Sequence, residues 1–276
     1  MQAKLTFMGT GTSMGVPTLG CRCAVCTSAD PHDNRLRPSV AIEWTGAEAR
    51  KRTVVIDTGP DFRQQALRYG IDRIDAVFYT HAHADHILGM DDLRPLSYTA
   101  FRAGGPIPLY ADADTAETLE RIYDYTFAPG TTYANRARVE LRPLTDRMRI
   151  HEVEFLRIPV LHGNQEISGF RFGNTAYLTD VSFIPESSFN LLRNLENLVL
   201  PALRHVPHPS HANVELAVAW AKRIGARHTW FTHIAHELGH DETNKMLPPG
   251  VALAYDGLEL ELDLEPGVNL SGASPS

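Results

Sequence analysis

This chain has few cysteines, no long apolar run and no excess of basic charge, and each shortage excludes something. Three cysteines among 276 residues, all within Cys21–Cys26, make no disulfide framework. No apolar stretch approaches the roughly 20 residues that span a bilayer, so no membrane partner is expected. The 26 Lys and Arg against 33 Asp and Glu leave a net charge of −7, with the acids spread along the chain. That argues against an extended nucleic-acid surface, which rewards clustered Lys and Arg. It leaves room for a small phosphate-bearing substrate, which needs only one or two cations. No Pro-, Gly- or Ser-rich linker and no internal repeat divides the chain. One domain over residues 1–264 is expected, with 265–276 as a disordered tail. The opening Met1–Phe7 reads as a strand, not as a signal peptide, and a cytoplasmic location is the expectation.

What is abundant is histidine, 13 residues and clustered, in a chain that is 43% apolar. Short β-like runs are expected at 4–8, 39–44, 52–56, 76–80, 152–160, 176–179, 197–200, 228–232 and 251–255. Helical periodicity marks 61–69, 113–126, 187–195 and 213–224. Helices arriving singly between strands indicate an α/β protein with helices packed outside the sheets.

The central signal is Tyr79-Thr80-His81-Ala82-His83-Ala84-Asp85-His86, fed by the apolar run Ala76–Phe78. While the chain is extended, His81 and His83 point to one side, and the turn that follows brings Asp85 and His86 near the same place. Three imidazoles and a carboxylate suit one or two cations such as Zn, Fe, Ni or Mn.

This H-x-H-x-D-H loop resembles the signature of the metallo-β-lactamase superfamily, and the family's other markers follow in order: Asp57, His162, Asp180 and His233, each at the end of a strand-like run. The resemblance implies an αββα four-layer sandwich. It implies one divalent ion on His81, His83 and His162, a second on Asp85, His86 and His233, and Asp180 bridging both. Asp85 is also counted among the catalytic residues. Asp57 would stand behind the His loop and steady it.

Cys21, Cys23 and Cys26 supply three soft ligands, one short of a tetrahedral zinc set. Together with Thr232-His233-Ile234-Ala235-His236, they resemble the phosphoribosyl cyclic phosphate phosphodiesterase group, which implies a structural zinc on the three cysteines and His236. A homodimer is implied on the same ground. The run His236-Glu237-Leu238-Gly239-His240 also matches H-E-x-x-H, but that zincin pattern needs a stable helix. Here the motif follows a strand directly and holds Gly239, a poor helix former, so the zincin reading is rejected.

The resemblance further implies hydrolysis of a small or cyclic phosphodiester by a hydroxide held between two metals, Zn or Mn, with Fe as another choice. His211, just before the 213–224 helix, is the candidate general acid. Arg37 and Arg94 are candidate phosphate contacts. His205, His208, His32, His151 and His228 read as bland. Three alternatives come from other classes. A tRNA 3′-processing ribonuclease would carry a long arm between His162 and Asp180, which stand only 18 positions apart. A pyrroloquinoline quinone biosynthesis-like protein shares the cysteine-rich start. A thioester or lactone hydrolase lacks the cysteines.

Overall fold

Alternation along the strands decides the layers. Val54 and Ile56 point one way and Val55 the other; Ala76 and Phe78 oppose Val77 and Tyr79. A strand apolar on both faces needs cover on both faces. The computed structural model, which describes residues 1–264, supplies it with two sheets packed face to face and helices outside each.

The first sheet contains β1 (Gln2–Gly9), β2 (Ser39–Thr45), β3 (Lys51–Ile56), β4 (Ala76–Phe78), β5 (Ile107–Ala111), β6 (Val139–Pro143) and the late strand β14 (Glu259–Asp263). The second contains β7 (Arg147–Ile150), β8 (Val153–His162), β9 (Gln165–Phe172), β10 (Thr175–Tyr177), β11 (Asn197–Pro201), β12 (His228–Thr232) and β13 (Val251–Leu253). Their orders are β14-β1-β2-β3-β4-β5-β6 and β13-β12-β11-β10-β9-β8-β7. In each sheet an antiparallel part (β14 to β3, β7 to β10) joins a parallel part (β3 to β6, β10 to β13).

Helices α1 (Phe62–Arg68), α2 (Ala84–Ile87), α3 (Arg94–Ala103), α4 (Ala113–Ile122) and α5 (Asp124–Phe127) lie with the first sheet's outer core, where Phe62, Ile87, Leu93 and Leu119 meet Val55 and Val77. Helices α6 (Glu186–Phe189) and α7 (Val214–Ile224) flank the second sheet, with Ala217 and Trp220 among Leu198, Leu200 and Phe231. Short α8 (His240–Asn244) follows β12. Between the sheets lies an aromatic core in which the Phe78 ring sits 5.0 Å from Phe155 and 5.1 Å from Phe170. The expected αββα sandwich is therefore present.

Two helices depart from expectation, and a third segment agrees with it. The 113–126 helix breaks at Tyr123, whose φ −113° and ψ 45° leave the helical region, giving α4 and α5. The 187–195 helix shrinks to α6 and one 3₁₀ turn, ended before Asn194 at φ 57°. The H-E-x-x-H run is no helix, since α8 begins only at His240. The expected tail, 265–276, lies outside the described residues. No helix among the described residues is long and apolar enough to cross a membrane.

Candidate active site

Strand ends build the site. The chain leaves β3 at Asp57, β4 at Thr80 and His81, β8 at His162, β10 at Asp180 and β12 at His233. Three of these, Asp57, Asp180 and His233, carry positive φ of 64°, 58° and 55°. Non-glycine residues seldom adopt that conformation, and it marks places where a side chain is aimed at a backbone cost.

The H-x-H-x-D-H loop is held from behind. Asp57 Oδ1 accepts the Thr80 N–H at 2.8 Å, Oδ2 accepts the Thr80 hydroxyl at 2.8 Å, and Oδ2 also lies 2.7 Å from His86 Nδ1. With Nδ1–H donated to a buried carboxylate, His86 presents Nε2 forward. The 57–59 turn presses close: Thr58 N–H donates to the His86 carbonyl at 2.8 Å, and a Cβ on Gly59 would sit 2.0 Å from the Asp85 oxygen. His162 is oriented in the same manner, its Nδ1 2.7 Å from both the Asp180 and the Ser210 carbonyls.

In front, the donors converge into two groups. His81, His83 and His162 form one, with His81 Nε2 and His83 Nδ1 2.9 Å apart. Asp85, His86, Asp180 and His233 form the other: His86 Nε2 lies 3.3 Å from Asp180 and 3.2 Å from Asp85, and His233 Nε2 lies 2.9 Å from Asp180. Asp180 also groups with His162 and His211, so it stands between the two sets. His211 Nδ1 is 3.7 Å from Asp180, and its ring stacks on His233 at 4.8 Å. Burial, with the neighbouring His233 charge, pushes the His211 imidazole down to about 3.

The donor set fits divalent cations. Asp85 Oδ2, His86 Nε2 and both ring nitrogens of His233 are buried without a hydrogen-bond partner. Such orphaned groups are costly unless something binds them, and imidazole with carboxylate suits Zn, Mn or Fe.

The cysteine cluster converges on His236. Its Nδ1 lies 3.3 Å from both Cys21 Sγ and Cys23 Sγ, and Cys26 Sγ accepts the Thr18 N–H at 3.3 Å. The four ligand atoms lie within 4.8 Å of one another. The Cys26 N–H, then His236, draw the Cys23 thiol down to about 6, while burial pushes Cys26 up to about 11. One thiolate beside a reluctant second is an arrangement that a cation would complete. His236 Nε2 faces Glu237 at 3.8 Å.

The other sequence candidates separate. Both arginines spend N–H groups on protein acceptors: Arg37 on Asp61 and the Ser13 carbonyl, Arg94 on Asp91 and the Asn135 carbonyl. His208, read as bland, packs its ring 5.0 Å from His211. Thr80 and Ser210 went unnoticed in the sequence; adjacency to His81 was the only signal for Thr80, and a backbone carbonyl gives none.

Residues 52–234 match the beta-lactamase superfamily domain. The chain belongs to this superfamily. The matched fold and the His and Asp groups described above together imply divalent metals. A crystal structure described as a new diphosphatase from the PhnP family is 50% identical, with a TM-score of 0.87 over 95% of this chain and 98% of that one. This agrees with the resemblance to the cyclic-phosphate phosphodiesterase group. An octanoyltransferase from Porphyromonas gingivalis (strain ATCC BAA-308 / W83) is 37% identical over 99% of the chain, which spans only 54% of that protein's length. Zn-bound PqqB from Methylobacterium extorquens shares the fold at 20% identity, with a TM-score of 0.71 over 94% of this chain and 100% of its own.

Proposed function

We propose that this superfamily member is a two-metal phosphodiesterase acting on a small or cyclic phosphodiester. The observation that carries the reading is the half-identity to the PhnP-family diphosphatase along nearly the whole of both chains. His81, His83 and His162 would hold one cation, Asp85, His86 and His233 the other, and Asp180 would touch both; Cys21, Cys23, Cys26 and His236 would hold a structural zinc. When bound, the two active-site cations supply Lewis acidity and a water acidified toward neutral pH.

The chain's own residues do the rest. Asp57 and the Asp180 and Ser210 carbonyls fix the imidazoles of His86 and His162, so the donors are in place before substrate arrives. His211, which burial keeps neutral, would hold the leaving oxygen by a hydrogen bond from its ring N–H; the expected role as a charged general acid would need the bound site to raise its affinity for a proton.

The octanoyltransferase relative supports a second reading, a thioester hydrolase, although the chain spans only about half of that protein. One assay separates the two. The Zn- or Mn-loaded protein is offered bis-p-nitrophenyl phosphate and an octanoyl thioester, with Asp180→Ala as control. Phosphodiester turnover that falls to background in the variant is expected. Folded, metallated protein that leaves the phosphodiester intact, or that prefers the thioester, overturns the phosphodiesterase reading.

A further inference from the structure

At the opposite end of the first sheet from the metal donors, the starts of β3, β4 and β5 open onto a cleft of about 580 Å³. From Arg52 to Asp57, β3 covers roughly 17 Å at strand rise, so this cleft is remote from the active site. Its walls differ in kind. One is basic: Arg50, Lys51, Arg52 and Arg73 line it against only Asp72 and Asp75, with His151 alongside, in a protein whose net charge is −7. The other is apolar, formed by Leu96, Ala100 and Ala103 of α3 with Ile107. Between them runs Gly104-Gly105; a Cβ at either would meet nothing within 4 Å, so the space there is open.

The basic wall is held in shape from inside. The buried Asp75 carboxylate accepts the Thr53 N–H at 2.9 Å and binds Arg52 and Arg73 at 3.1 Å each, with His151 Nε2 also at 3.1 Å. Lys51 is matched outside the cleft by Glu43 at 2.6 Å. One carboxylate shared by two guanidiniums and an imidazole leaves positive charge over. The accessible share of it lies on Arg73, whose side chain is 41% exposed against 12% for Arg52. Anchoring the β7–β8 turn through His151 accounts for Asp75, but not for a second, exposed guanidinium on the same carboxylate beside an apolar wall.

We propose that this cleft is a second binding site, for a small amphipathic anion with one acidic head group on an apolar body. The head would take a charge-assisted bond from the exposed Arg73; the body would lie on Leu96, Ala100 and Ala103, the mixture of apolar wall and few polar anchors typical of ligand pockets. The site is independent of the reaction at the metal centre.

The test is a titration of the metal-loaded full chain with phenylphosphonate, followed by amide chemical shifts. Saturable shifts at Arg73, Asp75, Ala100, Gly104 and Ile107 are expected. Binding should weaken tenfold or more in Arg73→Ala, disappear in Ala100→Trp, and be at least tenfold weaker for inorganic phosphate. Shifts confined to the residues around His81 and Asp180, no saturable shift, equal affinity for inorganic phosphate, or unchanged affinity in both variants would overturn the proposal. Arg73 is surface-exposed enough for its alanine variant to fold, which keeps the test decisive if Ala100→Trp does not.

Discussion

Asp57 holds no position among the converging donors, yet it fixes two of the residues around them, taking the Thr80 N–H and hydroxyl and the His86 ring. Removing an outer partner of this kind weakens metal binding by roughly 10–100-fold. Asp57→Ala should therefore lose metal to a chelator at correspondingly lower concentration, while circular dichroism stays native; unchanged competition would show that the His loop holds itself.

Asp256 makes a different prediction. It accepts the Leu36 N–H and the Thr10 N–H and hydroxyl, but burial pushes its carboxyl up to about 7. With an unfolded value of about 3.9, the folded state binds more protons between those pH values. The stability tied to this group is complete below about pH 4 and is lost as pH rises through about 7. From pH 5 to pH 8 the wild type should lose more stability to denaturant than Asp256→Asn, which cannot ionise; parallel losses would contradict it.

At this scale the sequence was most legible where ligand chemistry demands a residue type. His81 through His233 could be read in order because the superfamily's markers recur at the ends of strand-like runs. Thr80 and Ser210 could not, since their contributions are a hydroxyl any Thr offers and a carbonyl every residue has.

Among the elements, the segment after β12 links both donor sets. Ile234 N–H donates to the Thr10 carbonyl at 2.9 Å, and its own carbonyl accepts the Thr12 N–H at 3.2 Å, so the chain between His233 and His236 is stitched to the loop that leads to the cysteines. Loss of a structural metal is among the few single changes that cost several kcal/mol. His236→Ala should lose one zinc equivalent by elemental analysis and melt at a lower temperature. Zinc content equal to wild type would show the fourth ligand to be another group.

Elements with strong alternation or a clean cap were readable. The α7 helix has Asn213 accepting from Leu216 N–H at its start and Gly225 at φ 70° at its end. Strands β5, β6, β7, β9 and β14 escaped notice. β9 carries Ser168 and Gly169 in mid-strand, and β14 alternates Glu with Leu at a sheet edge, so neither shows a bounded β-branched run. Helix α3 escaped because its Ser, Tyr and Thr are weak helix formers; tertiary packing of Leu93, Leu96 and Ala100 over the first sheet settles it.

For the molecule as a whole, the two sheets are joined by the aromatic layer around Phe78 and by a direct bond from Ser168 N–H to the Thr80 carbonyl at 3.0 Å. Truncating a buried Phe costs about 3–5 kcal/mol. Phe78→Ala should lose that much in denaturant unfolding and, by loosening the sheet that carries His81 to His86 against the one that carries His162, Asp180 and His233, should bind metal less tightly. A stability loss with metal affinity intact would show that sheet docking and the site are separable.

The four-layer architecture could be anticipated from the superfamily resemblance, while patterning by itself pointed only to helices packed outside sheets. The fully buried Arg35 could not. It reaches the Ala235 and Leu238 carbonyls, and nothing in Arg35-Leu36-Arg37 tells which arginine goes inside.

The placement of His233 and His236 also sets a timetable. Synthesis runs from N- to C-terminus, and Cys26 leaves the ribosome 210 positions before His236. The cysteine set lacks its fourth ligand, and the Asp85, His86 and Asp180 group lacks His233, until one four-residue segment has emerged and β12 has joined its sheet. Until then three neighbouring thiols would wait without their fourth partner, open to any oxidant the nascent chain meets.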